Sequence, residues 1–189
     1  MGFGLTDIDN AVNYTLNLTR PLVHSGEVTT ITIDLKMMKD FFVYSSHPEK
    51  SLSPSNIEWQ DSSYFSAVGI LKEPNPKTKY DAMFEMEIGY HIEKVQFSQD
   101  LIIADHIKPG SYALNGTFIY QVCDPIMCIP HWDDFSIKLQ VEPGSANPDY
   151  ILPVKIDYNN DGTKIGELLN TENQLDSIIE KGLLSFMLF

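Results

Sequence analysis

Two cysteines, Cys123 and Cys128, stand in the run Tyr120-Gln121-Val122-Cys123-Asp124-Pro125-Ile126-Met127-Cys128-Ile129-Pro130, and the chain has no others. Four residues separate them, which is neither the Cys-x-x-Cys of a thioredoxin nor a haem-attachment spacing. On facing strand ends of a hairpin, antiparallel neighbours have Cα atoms roughly 4.5–5.5 Å apart, within the span a disulfide tolerates. The spacing therefore permits a reversible local bridge and the chemistry of thiol–disulfide exchange. The loop such a bridge closes is very short, and in the chain-entropy model stabilisation grows with loop length. A bridge kept for stability alone is the competing reading; it would make the chain a binding or adhesion module.

Position sets the direction of the chemistry. A cysteine at a helix start gains an acidified thiol from the helix dipole, but a hairpin cysteine next to Asp124, with Asp133 and Asp134 close in sequence, gains no such help. Negative charge and apolar burial both disfavour the thiolate. The expected pair is slow with random oxidants and reacts inside a docked complex, where a partner's thiolate attacks the bridge.

The elements that must hold this pair read as short strands. Tyr112, Leu114, Phe118 and Tyr120 alternate with other residues up to the first cysteine, and Phe135, Ile137, Leu139 and Val141 alternate after the second. Two such runs around a short Pro-containing loop predict a hairpin with the cysteines near its tip. Val12, Tyr14, Leu16 and Leu18 alternate likewise, Val28 to Leu35 repeats the pattern, and Glu93 to Ile103 offers a strand with Val95, Phe97 and Leu101 as core residues. Several strands at this spacing, with few helical signals before residue 143, predict an all-β antiparallel sandwich. Ser45 to Ser55 and Glu73-Pro74-Asn75-Pro76 read as long loops.

Pro143-Gly144-Ser145-Ala146-Asn147-Pro148 reads as a boundary. The expected organisation is a redox domain over 1–143, a linker and short helix over 144–181 and an apolar end over 182–189. Leu168, Leu169, Leu175, Ile178 and Ile179 suggest the helix. Gly182 to Phe189 is too short to cross a bilayer, which takes about 20 residues; it is either the start of a membrane helix or a helix packed on the domain.

Composition narrows the function. The chain of 189 residues is 43% hydrophobic and 11% aromatic, so it can bury a core without staples. Its formal net charge is -13, and Arg20 is its sole arginine. Nucleic-acid binding, which needs clustered Lys or Arg, is disfavoured. Met1-Gly2-Phe3-Gly4 has neither the charged start nor the apolar run of a secretory signal. A working disulfide implies an oxidising compartment, so the expectation is that a signal peptide has been removed.

Gly110-Ser111-Tyr112 through Tyr120-Gln121-Val122-Cys123 and Cys128-Ile129-Pro130 resembles the N-terminal periplasmic domain of the DsbD disulfide reductase family. Asp40-Phe41-Phe42-Val43-Tyr44-Ser45 resembles that family's aromatic segment near the active site, and Tyr80-Asp81-Ala82-Met83-Phe84 the segment leading into its cap loop. The matches extend over roughly residues 12–142. The resemblance implies an immunoglobulin-like sandwich, without a cofactor, that relays electrons to periplasmic disulfide proteins. Its donor would be a thioredoxin-like domain of the same protein or of a partner. Its acceptor would be a periplasmic disulfide isomerase or a cytochrome-maturation protein of thioredoxin fold. The membrane would be met only through a transmembrane region beyond this chain, which favours truncation at Phe189. By the same resemblance Cys128 would form the mixed disulfide and Cys123 would resolve it. Phe84 would shield the pair, with Tyr64 or Phe65 as alternatives for that role, and Phe42, Tyr44 and Tyr120 would line the site. Family members often carry a second proline where this chain has His131.

Other signals weigh less. Met127, Cys128 and His131 with Cys123 make a conceivable soft-metal set, but no second Cys/His cluster supports it, and the expectation is no metal. Asp157 to Gly162 opens like a calcium-binding loop, yet its twelfth position is Leu168 where Glu is needed, so an Asn-Asp-Gly turn is the better reading. Asn13-Tyr14-Thr15, Asn17-Leu18-Thr19 and Asn115-Gly116-Thr117 match a short, common glycosylation pattern.

Overall fold

In β3 (Val28–Met37), Thr29, Ile31, Ile33, Leu35 and Met37 are buried while the residues between them meet solvent. This period-2 pattern is what a strand with one face on a core must show. The computed structural model describes residues 11–60, 63–82, 85–152, 154–158 and 164–168. β3 lies between β1 (Val12–Leu18) and β9 (Lys94–Ile103), with β6 (Phe65–Lys72) beyond β9, in a four-stranded antiparallel sheet.

The second sheet holds seven strands: β2 (Leu22–Val23), β4 (Phe42–Tyr44), β5 (Asn56–Trp59), β7 (Lys77–Asp81), β8 (Met86–Ile92), β10 (Gly110–Cys123) and β11 (Cys128–Val141). Their order is β2-β11-β10-β4-β8-β7, with β5 also on β10. The pairings are antiparallel except the short parallel contact of β2 with β11 at Gln140 and Val141. The two sheets make an immunoglobulin-like sandwich, as the alternating runs predict. Ile33, Leu35 and Phe97 from the first sheet meet Phe118, Tyr120 and Val122 from the second. Toward the other end Ile31, Leu101 and Ile103 meet Leu114, Leu139 and Val141. Val95, Phe97 and Leu101 are all buried, as the sequence pattern requires.

The first compact unit runs to Tyr150. Within this unit the segment from Asn147 to Tyr150 is fastened down around a buried carboxylate. Glu27 accepts from Arg20, from the backbone N–H of His24 and from that of Asn147, and it pairs with the His24 ring. The Arg20 guanidinium also lies 3.4 Å from the centroid of the Tyr150 ring. The second unit, Ile151–Phe189, contributes an antiparallel pair, β12 (Val154–Tyr158) and β13 (Lys164–Leu168). Leu168 ends a strand there. The expected Asn-Asp-Gly turn, the rest of the expected helix and the apolar end over 182–189 lie outside the described residues. No described helix is long and apolar enough to cross a membrane.

Candidate functional site

β10 and β11 pair without a break from Gly110↔Val141 to Cys123↔Cys128. The cysteines therefore face each other across the last rung of a hairpin whose two strands are 14 residues each. They are joined as a disulfide, with Cα atoms 4.0 Å apart. The loop between them is built by Asp124. Its Oδ1 accepts the N–H groups of Ile126 (2.7 Å) and Met127 (2.8 Å), and its own N–H donates to the Met127 carbonyl at 2.9 Å. An Asp followed by Pro125 suits this turn, because the carboxylate caps the N–H groups two and three residues on while proline pre-sets its φ. Asp124 is buried, and its carboxylate serves the loop.

Alternation along β10 sends Tyr120 and Val122 into the inter-sheet core and Cys123 to the opposite face. On that outer face Cys123 is covered completely, at 0% exposure, whereas Cys128 is half-buried. The cover is aromatic and comes from the neighbouring strands. Phe42 pairs with Cys123 and with Ile92 in register, and Tyr44 pairs with Tyr90. Phe42 meets Tyr44 at 5.8 Å and Tyr90 at 5.4 Å between centroids, both edge-on. Ile88 and Met86 complete the cluster. The Lys79 ammonium of β7 lies 4.3 Å from the Phe42 ring centroid and 5.4 Å from that of Tyr90.

Among the described residues, Tyr44 makes a polar contact with the bridge, its Oη standing 3.5 Å from Cys128 Sγ. Burial and, after it, the charge of Asp81 push the Tyr44 phenol above its ordinary range. The hydroxyl thus keeps its proton at neutral pH and can donate to sulfur. β4 is delivered to this position by a corner in which Asp40 takes φ 72°, beside the corner where Glu93 takes φ 63° between β8 and β9. Left-handed conformations of non-glycine residues cost energy and persist where the surroundings impose them. The Met37 N–H donates to the Glu93 carbonyl at 2.8 Å, tying the two corners together.

Behind β4 lies a buried polar cluster. The Glu73 carboxylate accepts from Ser45 Oγ (2.5 Å) and the Ser46 N–H (2.8 Å), and pairs with His91 Nε2 at 3.1 Å. Burial alone would raise its pKa, but these bonds and the nearby imidazole hold it below the usual carboxylate range. The Glu73–Pro76 loop and the Ser45–Ser55 loop are thereby locked against β8. At Gly89 an added Cβ would stand 3.0 Å from Ser45 Cβ and 3.3 Å from Lys50 Cβ and Pro76 Cγ, so a larger residue there would have to push these neighbours aside.

The residues singled out in the sequence sort clearly. Cys123, Cys128, Phe42 and Tyr44 are brought together. Phe84 lies outside the described residues. Its alternatives sit elsewhere: Phe65 packs in the second core cluster and Tyr64 against Tyr112. Tyr120 is on the core face, where it stacks on Phe118 and His131 and its Oη donates to Asp133 at 2.9 Å. His131 is thus turned to the core, away from the face that carries the cystine. Of the acidic residues thought to surround the thiols, Asp133 accepts from Tyr120 and Asp134 from Thr117. Tyr90, Ile88 and Lys79 were missed. The alternation Met86, Ile88, Tyr90, Ile92 was the signal for the first two.

A family model described as thiol:disulfide interchange protein DsbD, N-terminal, matches residues 17–140, more than half of the chain. No curated protein matches. Among solved structures, the chain is similar to the DsbD N-terminal domain of Neisseria meningitidis in the reduced form, at 11% identity and a TM-score of 0.39, over 70% of this chain and 88% of that one. It is also similar to the N-terminal periplasmic domain of ScsB from Proteus mirabilis, at 21% identity and a TM-score of 0.44, over 73% of this chain and 48% of that one.

Proposed function

The chain belongs to the DsbD N-terminal family of thiol–disulfide exchange domains, and on that premise we propose that it is a periplasmic relay that passes two electrons from a thioredoxin-like reductase module to disulfide-bonded periplasmic proteins. The observation that carries this reading is the asymmetry of the bridge. Cys123 is sealed beneath Phe42 and its neighbours, while Cys128 meets solvent beside a phenolic donor.

In the receiving half-reaction a donor thiolate attacks Cys128 Sγ. The S–S bond breaks, its electron pair leaves on Cys123 Sγ, and that sulfur takes a proton. The donor's second thiolate then attacks the donor sulfur of the mixed disulfide and expels Cys128 as a thiolate, which the Tyr44 hydroxyl can stabilise by hydrogen bonding. The donor departs oxidised. In delivery, the Cys128 thiolate attacks a target disulfide, Cys123 closes onto Cys128, and the target leaves as a dithiol. The protein supplies position, cover and a hydrogen bond; the electrons arrive from the donor. Acceptors of thioredoxin fold, a disulfide isomerase or a cytochrome-maturation factor, fit this role. The organisation proposed with it is a redox domain followed by a linker leading to a membrane segment, with Phe84 as cap.

Trapping tests the reading. A Cys123→Ser variant should accumulate a mixed disulfide with a thioredoxin-fold protein through Cys128, because nothing remains to resolve it. If Cys128→Ser traps the partner and Cys123→Ser does not, the roles are reversed. If neither traps one, the relay is wrong.

A further inference from the structure

Exposed apolar side chains gather at one end of the second sheet. Ile126 is 78% exposed, Met127 41% and Trp132 62%, and Pro130 between them is also exposed. A solvent-facing tryptophan adds nothing to the core, and tryptophan is among the residues that most often carry binding energy at interfaces.

Register places these residues on the reactive face. Pro130 and Trp132 alternate with Ile129 and His131, so they project on the same side as Cys128. Trp132 pairs with half-buried Ile119, and the next rung on this face is polar, with Thr117 between Asp134 and Glu58. Along β11 the apolar strip therefore runs from the cystine through Pro130 to Trp132, flanked by Gln121 on β10, and ends at a polar rim, the layout of an interface core and its edge.

We infer that this strip, Pro130 and Trp132 on β11 with Ile126 and Met127 at the hairpin tip, is a docking surface for the apolar contact face of the same thiol-bearing protein that exchanges with Cys128. Trp132 stands four residues from Cys128, about 13 Å along the strand. A standard interface covers about 800 Å² per partner, a disc of about 16 Å radius. A protein that seats its sulfur on Cys128 must then overlie Trp132, whereas a small thiol need not. The inference rests on the exchange reading above and adds a recognition residue to it. Trp132 positions the partner and takes no part in bond exchange.

The test compares two reductants on the oxidised protein, reduced thioredoxin as the protein dithiol and dithiothreitol as the small one. For Trp132→Ala the rate with thioredoxin should fall about tenfold, the loss expected for an interface anchor, and the rate with dithiothreitol should stay within about twofold. Trp132→Phe should retain part of the thioredoxin rate. Fluorescence of Trp59, half-buried against Phe65, verifies that the variants fold. Equal effects on both reductants, or none on either, would overturn the docking surface. A wild-type bridge that thioredoxin opens no faster than dithiothreitol would overturn it too. A bridge that neither reductant opens would instead sink the exchange reading itself.

Discussion

Tyr44 Oη stands 3.5 Å from Cys128 Sγ, with Tyr44 itself held at 9% exposure by the aromatic layer around the bridge. Among the described residues no equivalent donor reaches Cys123. One phenol therefore distinguishes the two sulfurs, and it attends the one that solvent and partners can reach.

Removing that hydroxyl isolates its contribution. In Tyr44→Phe the ring still packs on Phe42, but the thiolate of reduced Cys128 loses a donor. A hydrogen bond to a charged group contributes about 1.5–3 kcal/mol. Alkylation of Cys128 by iodoacetamide near neutral pH, measured in a Cys123→Ser background, should slow about tenfold. Tyr120→Phe is the control. Its hydroxyl serves Asp133 in the core, so this change should cost about 1 kcal/mol of stability and leave the alkylation rate alone.

Lys79 holds the edge of the aromatic cover by charge. Its ammonium faces both Phe42 and Tyr90 from an exposed position on β7, where a cation–π contact contributes about 0.5–1 kcal/mol. Lys79→Met should loosen the cover and speed dithiothreitol reduction of the bridge about twofold to fivefold. Lys79→Arg, which keeps the contact, should restore the wild-type rate.

Acid should loosen the fold at two buried carboxylates, Glu27 near the Asn147 segment and Glu73 behind β4. Glu27 is buried, which alone would raise its pKa, yet the Asn147 and His24 N–H groups with Arg20 and the His24 ring bring it to about 2 from 4.5. Glu73 is shifted in the same direction by His91, Ser45 and Ser46. A carboxyl with a depressed folded pKa binds more protons unfolded than folded. Its stabilisation is full above about pH 4.5 and is lost as pH falls through the folded value. Denaturation midpoints should therefore drop below pH 4.5, and Glu27→Gln should flatten that slope while lowering stability at pH 7 by about 2 kcal/mol.

The hairpin and the long strands were legible because they obey simple periodicity. Tyr112 to Tyr120 and Phe135 to Val141 alternate, so the facing positions of Cys123 and Cys128 followed from the pattern alone. The aromatic cover was harder to read. β4 is three residues long, too short to show a period. Its contacts with Tyr90 and Lys79 depend on the order β10-β4-β8-β7, in which strands remote in sequence become neighbours. The same limit explains Tyr120. Three residues before a cysteine it looks like part of the site, but alternation turns it to the core with His131. The Glu27 and Glu73 clusters gave no sequence signal, since a lone carboxylate reads as surface until the loops that bury it are known.

The reduction potential of the Cys123–Cys128 bridge tests the central claim most directly. Equilibration against thioredoxin or glutathione buffers, followed by quantifying free thiols, should give a value above about -300 mV, within reach of thioredoxin at about -270 mV. A bridge that stays oxidised far below about -300 mV would be a structural staple, and the relay would be contradicted.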